Sequence, residues 1–111
     1  MDLKSISEIG FSNSSHPGQI KKVIFHGFEM TSPVTQVAYA ELGAGDIVAE
    51  HYHESMEEVF LILDGECEFS LDGVSHLLKK DDVIKIAPKI KHTLRSIRDT
   101  KLYYFGVSTL K

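Results

Sequence analysis

From residue 21 onward, apolar and polar residues alternate in short runs rich in β-branched and aromatic side chains. A period of two sets one face of a strand on a core and the other in water. It predicts strands over residues 22–28, 36–42, 46–51, 58–63, 67–71, 75–78, 82–86, 91–97 and 102–107. Turn-forming residues separate them: Gly43-Ala44-Gly45, Asp64-Gly65, Asp72-Gly73, Lys80-Asp81 and Arg98-Asp99. Asp-Gly between short runs is a strong hairpin signal, because the tight turn that matches strand twist needs φ > 0. No segment carries the period of a long amphipathic helix. Many short strands with regular turns predict an all-β sandwich or barrel. Residues 1–20 differ. They are serine-rich, close on Pro17-Gly18 and read as a partly ordered N-terminal arm before a single domain over 21–111.

Composition narrows the partners. The chain has 111 residues, with 12 Lys and Arg against 16 Asp and Glu, for a formal net charge of −4. An acidic chain has no electrostatic footprint for nucleic acid. It also lacks a basic stripe for an anionic membrane, and no apolar run approaches the roughly 20 residues of a membrane helix. The opening MDLKSISEIG lacks the charged-then-apolar pattern of a secretion signal, so the expected location is cytoplasmic. Cys67 is the single cysteine, which excludes a disulfide within the chain. Six histidines stand out in so short a sequence.

Two of them, His51 and His53, alternate with Tyr52 and so point to one face of a strand, about 6–7 Å apart along the backbone. Two imidazoles on one face can grip a metal ion. Glu58 opens the next apolar run and shares its face with Phe60 and Ile62. A carboxylate heading an inward row is costly unless it is paired or binds a metal. His92 shares a face with Leu94 in a later strand. Three His and one Glu make a mixed nitrogen and oxygen donor set, which suits Fe, Mn, Ni, Zn, Co or Cu without choosing among them. Such a set leaves positions open for water and substrate, as a catalytic site needs.

The segment Gly45, His51, His53, Glu58, Gly65 resembles the first motif of the cupin family at every fixed position and spacing. The stretch from Asp81 to His92 is similar to the second motif but departs from it. Asp81 stands for the first glycine, Ala87 for proline with Pro88 next, Lys89 for the second glycine and Ser96 for asparagine. His92 is retained. The resemblance runs over roughly residues 34–107. It implies a double-stranded β-helix, or jelly-roll, barrel with one divalent metal in its mouth. Carried over residue by residue, the ligands are His51, His53, Glu58 and His92.

Other candidates carry less. Glu57 could replace Glu58 as ligand, but the distance to Gly65 favours Glu58. Cys67 falls on the face of Phe69 and Leu71 and reads as a small buried hydrophobe. His16, His26 and His76 have no paired spacing and read as surface or structural residues. Most tyrosines and phenylalanines read as core or interface, with Phe60, Ile62, Leu94 and either Gln36 or Tyr39 available to line a cavity. Glu57, Tyr39 and His26 are general-base candidates only where the fold brings them to the mouth. Arg95 and Lys91 fall opposite His92, and Lys79-Lys80 reads as a solvated turn.

The expected function is that of a small metal-dependent enzyme acting on a sugar, organic acid or dioxygenase substrate. The alternatives are a non-catalytic small-molecule or sugar-binding module and a scaffold that makes no use of metal. The expected partner is a small molecule, with neither nucleic acid nor membrane. A homodimer is implied by the resemblance, with Phe25, His26 and Phe28 of an exposed early strand as interface candidates.

Overall fold

The computed structural model describes residues 1–13 and 20–110. Among these residues the strands are β1 (Ser12–Asn13), β2 (Ile20–His26), β3 (Val34–Leu42), β4 (Ile47–His51) and β5 (Met56–Asp64). They continue as β6 (Glu66–Leu71), β7 (Val74–Lys79), β8 (Val83–Ile86), β9 (His92–Ser96) and β10 (Thr100–Ser108). One sheet has six strands in the order β1-β2-β3-β10-β5-β8, and the other has four in the order β4-β9-β6-β7. Every pairing is antiparallel. From β3 onward the chain passes back and forth between the sheets, with only β6 and β7 following one another in the same one. This is an all-β jelly roll.

Alternation decides which residues meet between the sheets. Ala38, Ala40 and Leu42 of β3, Phe60 and Ile62 of β5, and Leu102 and Tyr104 of β10 are buried. Cys67 and Phe69 of β6 and Leu94 of β9 face them from the smaller sheet, also buried. Each large apolar side chain removed from water contributes about 1.5–3 kcal/mol. Pinning the register is therefore worth more than any surface ion pair. The Arg95–Glu68 pair at 3.5 Å is of that exposed kind.

Backbone chemistry sets the corners. Asp72 and Gly73 both have positive φ, 46° and 82°, and join Leu71 to its partner Val74 in a two-residue hairpin. Gly65 sits at φ 98°, where an added Cβ would collide with the Asp99 carbonyl and with Thr100. Asp81 (φ 71°) and Lys89 (φ 68°) keep a left-handed backbone without being glycine. The departures from the second motif at these two positions therefore change the residue and leave the turn conformation in place. Ser96 has a definite role as well. Its hydroxyl donates to the Arg98 carbonyl and lies 3.0 Å from Thr100 Oγ1, fastening the turn into β10.

All nine predicted strands are present with boundaries shifted by one or two residues, and two of the shifts have a visible cause. The strand predicted over 22–28 starts earlier and stops at His26, and Gly27–Glu29 forms a 3-10 turn. At Gly27 an added Cβ would stand 2.7 Å from the Thr35 carbonyl oxygen, and Glu29 Oε2 accepts the His26 N–H at 2.8 Å. These contacts curl the chain off the sheet. β5 begins at Met56 rather than 58, because its ladder with β10 extends to Ser108. Residues of the N-terminal segment lie along β2, where Lys4 Nζ donates to the Ile24 carbonyl at 2.7 Å and Lys22 Nζ to the Ile6 carbonyl at 2.9 Å. Residues 14–19, with His16, lie outside the described residues.

Candidate metal centre

β4 ends at His51, and its register sets His51 directly opposite His92, the first residue of β9. His53 follows in the connection to β5, held from the far side by the Lys89 N–H, which donates to the His53 carbonyl at 2.7 Å. Glu58 enters from the other sheet on the inward face of β5, one rung from Phe60. One donor atom from each of His51, His53, Glu58 and His92 falls within 4.8 Å of all the others. Three histidine rings and one carboxylate thus converge from both sheets on a single point.

Hydrogen bonds orient two of the rings. His51 Nδ1 lies 2.8 Å from the Ala49 carbonyl, and His92 Nδ1 lies 2.9 Å from the Ile90 carbonyl. A carbonyl oxygen only accepts, so in each contact Nδ1 carries the proton. Neutral imidazole then presents Nε2 as a lone pair, the arrangement that partners of metal-bound histidine impose. His53 Nε2 stands 3.1 Å from Glu58 Oε1, and His92 Nε2 stands 3.5 Å from it.

Burial makes this arrangement costly on its own. Glu58 is 5% exposed and His92 1%. Glu58 Oε1 and His92 Nε2 are covered from solvent without a hydrogen-bond partner. Leaving such a group unpaired costs about 1–3 kcal/mol, and more for a charge. Lone pairs aimed at one another repel unless a cation lies between them. The donor set therefore fits a transition metal ion, with imidazole nitrogen and carboxylate oxygen as borderline ligands. Burial works to lower the His92 pKa, but the Glu58 carboxylate and the Ile90 carbonyl outweigh it, and the net shift is upward. Without metal, a proton can take part of the cation's place.

A family profile described as a cupin domain matches residues 38–108. The chain belongs to the cupin family. This cupin is 31% identical over 77 residues to quercetin 2,3-dioxygenase of Bacillus subtilis (strain 168), covering 69% of the chain and 23% of that protein. It is 33% identical over 55 residues to polyketide synthase CurC of Streptomyces cyaneus, covering 50% of the chain and 36% of that protein. It thus spans about a quarter to a third of the length of these relatives. Among solved structures, a predicted oxalate decarboxylase from Thermotoga maritima superposes with a TM-score of 0.86 at 23% identity, covering 97% of this chain and 99% of that one. At that identity the likeness speaks to the fold.

The remaining candidates scatter. Glu57 pairs with Val107 on the face of β5 opposite Glu58. Tyr39 lies on the outer face of β3, edge-on to Tyr103, and gives its hydroxyl to Glu41 at 2.7 Å. His26 of β2 pairs with Gln36, with β3 and β10 between it and β5, and stacks on the exposed ring of Phe28. His76 is exposed on the edge strand β7. None of these joins the four-donor cluster. Cys67 is buried, and burial pushes its thiol up to about 12, so it is inert near neutral pH. Arg95 is an outward residue paired with Glu68. Two features escaped the sequence reading. One is the pair of carbonyl tethers, each two residues before its histidine. The other is the place of Tyr104, read from the sequence only as core or interface, on the inward face beside Phe60 and Glu58.

Proposed function

We propose that this cupin is a metal-dependent enzyme acting on a small organic molecule, with His51, His53, Glu58 and His92 as the ligands of one divalent transition metal ion. One observation carries the reading: the buried Glu58 Oε1 and His92 Nε2 have no hydrogen-bond partner and face each other across 3.5 Å. Bound there, Fe, Mn, Ni, Zn, Co or Cu would supply Lewis acidity toward a carbonyl or carboxylate oxygen. The chain's own residues hold that ion from both sheets. Phe60 and Leu94, next on the inward faces after Glu58 and His92, and Ile86, the cross-strand partner of Glu58, put buried apolar side chains beside the donors, as a site for an organic molecule needs. Among the relatives, the names quercetin dioxygenase and predicted oxalate decarboxylase support a small-molecule substrate.

A second reading, a non-catalytic small-molecule or sugar-binding module, draws on one observation. Glu57, Tyr39 and His26 all lie away from the donors, so the general-base candidates of the sequence are not at the centre. Elemental analysis of untagged protein separates the outcomes. The proposal expects about one equivalent of a transition metal per chain, lost in His51→Ala, and turnover of a small organic substrate only with metal bound. Metal-dependent binding without turnover across carboxylates, sugars and flavonols would favour the module. Metal content unchanged in His51→Ala would overturn the ligand assignment.

We also propose a cytoplasmic homodimer in which residues 21–111 form one domain and 1–20 an arm. The exposed Val83 and Phe105 on the outer face of the larger sheet support pairing. Light scattering that returned the mass of one chain would overturn it.

A further inference from the structure

We infer that the Tyr104 hydroxyl donates a hydrogen bond to an anionic oxygen, carboxylate or enolate, of the small molecule taken by this centre. The inference rests on the proposed metal centre and assigns a residue beyond its four ligands. Tyr104 lies between Phe60 and Ala38 in the larger sheet, on the inward face and one rung below the Gly106–Glu58 pair. It is 6% exposed. Its ring stacks on Phe60 at 5.2 Å and 20°, and Phe60 meets Phe69 edge-on at 5.2 Å, so the phenol is held in one orientation. Its hydroxyl makes no hydrogen bond to the described residues, and it is not among the polar atoms sealed from solvent, so a small molecule can reach it. Tyr39, by contrast, gives its hydroxyl to Glu41. An aromatic residue held this firmly with an unused donor is suited to a partner that is not part of the protein.

Register indicates where the ring lies. Tyr104 pairs with Phe60 and Gly106 with Glu58, so the phenol stands on the inward face diagonal to Glu58. A phenol ordinarily titrates at about 10 and so is protonated near neutral pH, where it serves as a donor. No arginine shares this duty. Arg95 and Arg98 have side chains 51% and 64% exposed and pair with Glu68 and Glu66. A ligand oxyanion would then be met by the metal on one side and by a neutral donor on the other. That selects a small, largely apolar molecule with one chelating oxyanion group over a phosphorylated or polyanionic one.

The test uses protein loaded with Zn(II) and two probes, acetohydroxamate, which chelates through an anionic oxygen, and imidazole, which has none. Tyr104→Phe should keep the zinc stoichiometry and bind acetohydroxamate about ten-fold more weakly, with imidazole affinity within about two-fold of wild type. Equal acetohydroxamate affinity in the two proteins would overturn the assignment while leaving the metal centre standing. So would an equal loss for both probes, which a merely structural role produces. Failure of the wild type to take up zinc would overturn the centre and this inference with it. Should the variant not fold, the wild type labelled with 13C at the tyrosine phenolic carbon gives the same answer. The expected result is one tyrosine signal that shifts with acetohydroxamate and not with imidazole, and no shift would overturn the inference.

Discussion

Lys89 holds its backbone at φ 68° while its N–H donates to the His53 carbonyl. A side chain with a Cβ meets the following carbonyl there, at a cost of about 1–2 kcal/mol. Lys89→Gly removes that strain but loosens the unfolded chain, so a net gain of about 0.5–1 kcal/mol is expected. A higher urea midpoint at unchanged slope would show it, and a lower one would mean that the lysine side chain itself holds the turn. At Asp81 the same substitution should be closer to neutral, because aspartate tolerates the left-handed region through local hydrogen bonding. Cys67 separates packing from chemistry. Cys67→Ser buries a hydroxyl among Phe69 and its neighbours and should cost about 1–3 kcal/mol. Its metal content should remain that of wild type, and a large loss would place the thiol at the centre.

The corner between β5 and β6 depends on Gly65, which lacks space for a Cβ and adopts φ 98°. Gly65→Ala should therefore destabilise by about 3 kcal/mol, from clash and backbone strain together. Thermal unfolding within a degree of wild type would show that the Asp99–Thr100 segment gives way freely. The same corner explains what the sequence made legible. Asp64-Gly65 and Asp72-Gly73 announced their turns, and a period of two then assigned Glu58, Phe60, Ile62, Cys67, Phe69, His92 and Leu94 to the inward faces. The bulges were not legible. Register shifts lie between Val23 and Phe25, between Val48 and His51, and between Gly106 and Val107. Nothing in residue type marks them, because they arise where one strand must curve against another. Cross-strand partners were hidden for the same reason. Tyr39 could be read toward the cavity, and Tyr104 could be read only as core or interface, until β3, β10 and β5 were aligned.

At the scale of the molecule the four donors join the two sheets, with His51 and His92 from the smaller and Glu58 from the larger. A metal bound by the folded state alone stabilises it by about 2.7 kcal/mol at a hundred times its dissociation constant. Melting temperature should rise on metal addition and fall back with a chelator, and no change would argue against the centre. The two forms should respond oppositely to pH. In the metal-free protein the raised pKa of His92 favours the protonated ring, set against Glu58 and beside His51 and His53. That stabilisation is fully present below the ordinary histidine value of about 6.5 and is lost as pH rises through the raised one. In the metal-bound protein protons compete for the same nitrogen, so stability should fall as pH drops through that window. Melting curves of both forms between acidic and neutral pH would check it, with parallel trends counting against His92.

The left-handed positions also say how freely such a sequence can drift. At 81 and 89 the barrier to leaving glycine is a modest torsional cost that one mutation can cross and the rest of the barrel can absorb. At 65 the barrier is lack of room, and no side chain crosses it without moving a neighbouring strand. A lineage that keeps this barrel can therefore lose the open glycines of its fingerprint and retain the crowded one, along with the donors it helps to place. A search for distant members does better to demand the glycine that has no space than the glycines that merely bend.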